Sequence, residues 1–137
     1  MLDMLLTSIQ GLHSFALYFV LALVDLALFK AAYAAITPHD EWGLIRKNNA
    51  AAATAFSGAI VGYAIALGGA ASNSVNVMDF SVWAIVAFVA QLLAFLFARL
   101  MISDLAGRIK DGELAAGIMV AAVSVAIGII NAACMTY

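Results

Sequence analysis

The chain has 137 residues, 66% of them hydrophobic and 10% charged, with one proline and one cysteine. Soluble domains carry apolar residues near half and charge near a quarter, so a water-soluble globule and a disordered chain are both excluded. Six Lys and Arg against eight Asp and Glu give a net charge of −2 with no basic run, which excludes nucleic acid as a partner.

The N-terminus, Met1-Leu2-Asp3-Met4, lacks the positive region of a cleavable signal and leads into an apolar stretch too long for one. It is expected to be a retained first anchor. Apolar runs then fall at about Leu12–Ile36, Asn49–Ala71, Phe80–Ile102 and Glu113–Met135. They are expected to cross as helices, because the bilayer core offers no partner to open backbone groups. The alternating ten-residue strands of a barrel are not present in the sequence.

A shift of 64 residues brings Asp40 onto Asp104, Gly43 onto Gly107, Ile45 onto Ile109, Arg46 onto Lys110 and Ala51-Ala52 onto Ala115-Ala116. Each half then reads helix, basic loop, helix. Two spans per half make this a parallel repeat about an axis along the membrane normal. The expected fold is all-α: a polytopic membrane protein of four transmembrane helices in two repeated two-helix halves, about 11–73 and 75–137. Short interfacial helices are expected in the loops, the first with Thr37 as N-cap, Pro38 opening it and Asp40 in the first turn, the second beginning at Ser103-Asp104.

Orientation follows from the cations. Arg46 and Lys47 lie in the first gap, Arg99, Arg108 and Lys110 at or in the third, and Lys30 near the first-gap end of span one. The middle gap and both termini have none. The positive-inside rule therefore places both loops in the cytoplasm and both termini outside, periplasmic in a Gram-negative cell. Trp42 suits the headgroup level, with Arg46, Lys47, Arg108 and Lys110 facing lipid phosphates or a docked partner.

Spans one and three are bulky. Span two is small at every fourth residue, through Ala50, Thr54, Gly58, Gly62, Ala66 and Ala70, and span four repeats this at Ser124, Gly128 and Ala132. Such stripes let backbones approach closely. Spans two and four are expected to form the inner seam, with one and three more exposed to lipid. The stripe serves either this packing or a symmetric contact between subunits.

Ionisable groups at membrane depth are costly, and Asp25 is the most conspicuous. Ser14, Tyr18 and Asp25 fall within about 40° on one helix face, while Lys30 is poorly placed to pair with Asp25 along the helix. Gln91 lies on a small-residue stripe of span three. One reading is a polar path for protons or a small cation through Asp25, Tyr18, Gln91 and Ser57 or Ser124. The other is a protonated acid whose hydrogen bond pins helix packing.

His13 and His39 are too far apart in depth to share a metal, and no metal set or cofactor motif is expected. Asn131 reads as a helix bridge, Cys134 as a packing residue or an intersubunit thiol, and Asp40-Glu41 as a solvated loop pair. With no nucleophile–base constellation visible, an enzyme is not expected.

Thr37-Pro38-His39-Asp40-Glu41-Trp42, Arg46-Lys47-Asn48-Asn49, Phe56-Ser57-Gly58 with Gly62-Tyr63, and the closing Asn131-Ala132-Ala133-Cys134-Met135-Thr136 resemble the YjfL-type family. These are small bacterial inner-membrane proteins built from a repeated domain of unknown function (DUF350). The resemblance implies a four-helix inner-membrane protein and, by association, envelope maintenance or stress beside a peripheral membrane-stress protein. It supplies no catalytic or transport residues. Two functions remain open: a non-enzymatic homo-oligomeric scaffold in the lipid bilayer, and an oligomeric channel or transporter using Asp25.

Overall fold

The computed structural model describes residues 1–135. Thr136 and Tyr137, which end the second expected half, lie outside the described residues. Among the described residues there are four long helices, α1 (Leu2–Ile36), α3 (Ala50–Asn73), α4 (Val77–Met101) and α6 (Leu114–Cys134), and two six-residue helices, α2 (Glu41–Arg46) and α5 (Leu105–Lys110). All four long helices are long and apolar enough to cross a membrane.

The ends of these helices follow from local chemistry. Pro38 cannot continue α1, and Thr37 turns extended while its hydroxyl donates to the Tyr33 carbonyl at 3.0 Å. The first interfacial helix therefore starts later than expected. Thr37 closes α1, and Asp40 caps α2 by accepting from the Gly43 N–H at 3.2 Å. Asn48 takes a left-handed φ of 62°, and Asn49 caps α3 at the Ala52 N–H, 3.0 Å away. Asn76 caps α4 at the Asp79 N–H, 2.9 Å. The second short helix follows a left-handed Asp104, φ 52°, with no side-chain cap, and Gly112 turns into α6 at φ 78°.

The core is the contact of α3 with α6, the most extensive in the chain. A Cβ added to Gly58 would lie 2.3 Å from Ala121 Cα, and one on Gly62 2.3 Å from the Ser124 carbonyl oxygen. One on Gly128 would lie 2.1 Å from the Gly62 oxygen, and one on Gly117 2.3 Å from the Ala51 oxygen. No side chain fits between the helices at these points. Ala66 is buried in the same face, while Thr54 is half-buried with its hydroxyl on the Ala50 carbonyl at 2.7 Å, and Ala132 is half-buried against Gly69.

The bulky helices divide. The inward face of α4 is itself mostly small, with Ala84, Ala87, Ala94 and Ala98 buried beside Gln91, so α4 packs against both α3 and α6. Only Phe29 and Tyr33 of α1 are buried. They join an aromatic cluster in which Phe29 lies 4.7 Å from Tyr63 and 5.7 Å from Phe88, ring centre to ring centre, and Tyr33 lies 5.8 Å from Phe56 and 5.5 Å from Phe95. The cluster holds the α2-proximal half of α1 to the body, and the turns before Tyr18 are exposed.

Gly62→Leu and Gly128→Ala should each lose about 1–3 kcal/mol or more, because backbone must move to admit the new atoms. Gly11→Ala and Gly68→Ala meet open space and should leave stability unchanged or raise it. Unfolding of the four variants in detergent micelles checks this, and equal stability of all four would refute the seam as drawn.

Candidate functional site

Polar side chains at membrane depth belong to α1, α3, α4 and α6, and the structure distributes them. Asp25 is half-buried on the floor of a lateral groove of about 440 Å³, with Leu28, Tyr63, Ala84, Ile85 and Phe88. The Tyr63 hydroxyl beside it donates to the Ala84 carbonyl at 3.2 Å. Tyr18 lies a groove away, edge-on to Phe80 at 5.4 Å. Gln91 is buried between α4 and α6, where its side-chain amide donates to the Ser124 carbonyl oxygen at 2.9 Å and its Oε1 has no partner. Ser57 is on the exposed side of α3. Of the five residues read as one path, only Gln91 and Ser124 touch.

The short helices build a second polar region at the end of the bundle where the cations collect. Lys30 Nζ sits over the Trp42 ring, 4.3 Å from its centre, and Trp42 lies edge-on to Phe56 at 5.5 Å. This cation–π contact ties α2 to α1 at the depth where an indole and a lysine stem are both at home. Asn49 Nδ2 donates to the carbonyls of Ile109 at 2.9 Å and Lys110 at 3.3 Å, joining the start of α3 to the end of α5. Arg108 pairs with Glu113. Arg46, Lys47 and Lys110 are exposed.

Beneath α2 lies a group that the sequence reading missed. The link from α1 to α2 bends through Thr37 to His39, with Thr37 and Asp40 in extended conformation, and burial alternates along it into the first turn of α2. Pro38, Asp40 and Trp42 are exposed, while Thr37, His39 and Glu41 are buried. His39 Nε2 meets Glu41 Oε1 at 2.6 Å with both side chains fully enclosed. His39 Nδ1, Glu41 Oε2 and the Tyr33 hydroxyl have no hydrogen-bond partner among the described residues. Glu41 is thus not part of a solvated pair with Asp40. Asp40 faces water and caps the helix, while Glu41 faces inward. The period-two alternation from Thr37 to Trp42 was the available signal, and it was masked because the inward positions are polar.

Elsewhere the candidates stay apart. His13 is exposed on the first half of α1, Asn131 is half-buried, and Cys134 is an exposed free thiol. No three His, Cys, Asp or Glu side chains among the described residues are grouped to hold a metal.

Four apolar helices around a glycine-tight seam, with interfacial helices at one end, define a polytopic α-helical membrane protein. The chain belongs to the family described as Domain of Unknown Function (DUF350), whose model matches residues 6–135. It is similar to the UPF0719 inner membrane protein YjfL of Escherichia coli K12 and of Escherichia coli O157:H7. Identity to each is 42% over 129 residues, covering 94% of this chain and 98% of the relative. No solved structure matches it.

Glu41→Ala should destabilise the protein by about 1–3 kcal/mol, because it strands the enclosed His39 nitrogen. Glu41→Gln should recover part of this by restoring one hydrogen bond. Asp104→Ala, whose side chain makes no cap bond, should change little. Unfolding in micelles with tryptophan emission as the probe tests the ranking, and Glu41→Ala matching Asp104→Ala would contradict the buried pair.

Proposed function

We propose that this chain is a non-enzymatic, homo-oligomeric scaffold of the inner membrane, serving envelope maintenance or stress. The observation that carries the reading is the Asn49 bridge to Ile109 and Lys110, which makes one platform of two loops. Of the acids on it, Asp40 caps α2, Glu41 is turned onto His39 and Glu113 pairs with Arg108, while Asp104 and Asp111 are exposed. Arg46, Lys47 and Lys110 face outward beside Trp42 and these two carboxylates, a mixed surface whose cations suit anionic headgroups and a peripheral membrane-stress protein seated on them.

The placement of all six cations toward this end supports a cytoplasmic platform with both termini outside. The order long helix, short helix, long helix, occurring twice, supports two halves related as a parallel repeat. The closed α3–α6 seam and the scattering of the five membrane polar residues favour a packed body over a conduit within one subunit.

Asp25 favours a second reading. Its groove opens sideways, so a proton or small-cation channel would run between copies of the chain and not through one. Proteoliposomes separate the two. The scaffold predicts proton and monovalent-cation flux equal to that of protein-free vesicles, for wild type and Asp25→Asn alike. Flux that Asp25→Asn abolishes would replace it with the channel. A reporter fluorescent only in the cytoplasm, fused after Tyr137, should stay dark, and a bright fusion would invert the orientation.

A further inference from the structure

The first half of α1 has a pattern that the subunit does not use. Leu2, Leu5, Ile9, Leu12, Ala16, Phe19 and Leu23 recur at alternating steps of three and four, the a/d spacing of a coiled-coil seam. All are exposed, and the six large ones are each more than half exposed. Asp3, Thr7, Gln10 and Ser14 form a polar stripe about 160° round the helix from that seam.

Length makes the pattern significant. The 35 residues of α1 reach roughly 52 Å, against roughly 36 Å for the 24 of α3. The hydrocarbon core is about 30 Å thick, and even a steep tilt of about 40° leaves α1 about 40 Å tall. With Lys30 and Trp42 set at the interface, it is the N-terminal turns that extend past the apolar layer. Lipid tails can cover Phe19 and Leu23, but they do not cover Leu2 and Leu5. Where the helix does lie in the bilayer, its seam enters an apolar groove of about 330 Å³ between α1 and α3. Phe19 and Leu23 line one wall, and Ala64, Gly68 and Ala71 line the other. A Cβ on Gly68 would meet nothing within 4 Å, so this wall admits a close helix neighbour.

We infer that the seam from Leu2 to Leu23 is the contact by which two copies of the chain associate, their α1 helices side by side and parallel, with the lower part seated in the α1–α3 groove. The occupant is a second copy because a heptad seam is satisfied by another heptad seam, and α1 offers its own. The glycine stripe of α3 cannot serve instead, since Gly58 and Gly62 are spent on Ala121 and Ser124 within the subunit. The inference deepens the homo-oligomeric scaffold and rests on that reading for what the association is for.

Single cysteines in a Cys134→Ser background test it in native membranes, with copper phenanthroline as oxidant. Leu5→Cys, Ile9→Cys and Leu12→Cys should form dimers at least about fivefold more readily than Thr7→Cys, Gln10→Cys and Ser14→Cys, because a disulfide needs its Cα atoms within about 7 Å. Even yields, or a maximum on the polar stripe, would overturn the seam. Gly68→Leu keeps the subunit intact because its site is open. It should melt like wild type in micelles while its seam cysteines cross-link at least about fivefold less, and undiminished cross-linking would remove the groove from the contact. The mass of the wild type in micelles separates the two levels. An oligomer without seam cross-links refutes the seam and leaves the scaffold standing, whereas a monomer without cross-links overturns both.

Discussion

Where Gly62 meets Gly128, two helix backbones touch with no side chain between them, and the arrangement of the other helices follows from that approach. Lipid supplies no hydrophobic drive for helices to associate, so the favourable terms are dispersion between closely fitted surfaces and the few hydrogen bonds across them. The α3–α6 seam maximises the first. Gln91 supplies one of the second at the same place, since its amide reaches the Ser124 carbonyl while its nitrogen lies 2.9 Å from where a Gly62 Cβ would stand. A bulkier residue at Gly62 would disturb α6 and the Gln91 bond together, which couples all three inner helices through one glycine.

Much of this could be read before the structure. The positions of Gly58, Gly62, Ser124 and Gly128 at fourfold spacing pointed to the seam because close approach depends on residue size, which a sequence states outright. Chain crossings were legible from hydropathy for the same reason. The helix starts were harder. Thr37 and Asp40 are both good caps, and Thr37 is drawn off because its hydroxyl can close α1 on Tyr33 instead. That choice depends on a competing bond from the preceding helix, which a local cap rule does not weigh.

The polar residues were the least legible. Asp25, Tyr18, Gln91, Ser57 and Ser124 share depth or polarity in the sequence, but contact needs azimuth and partner, and the helices turn them to different places. Ser57 faces outward next to the inward Gly58. His39 and Glu41 were hidden for the opposite reason. Polar residues beside a proline read as solvent loop, and it is the bend of a short link that turns His39 and Glu41 inward. The enclosed pair comes with unsatisfied atoms at Tyr33, His39 and Glu41, a concentration of polar strain at the junction of α1 with its interfacial helix.

These two features place different demands on α1. At its α2-proximal end the helix is over-determined, held by the aromatic cluster, by Trp42 on Lys30 and by the buried link to Glu41. At its other end every residue from Leu2 to Leu12 is exposed, although the composition there is strongly apolar. The helix is thus packed at one end and exposed at the other. The polar cluster at the α2 end and the exposed apolar residues at the other are then the two ends of one helix, tied at the first of them to the glycine-locked body by the rings of Phe29 and Tyr33.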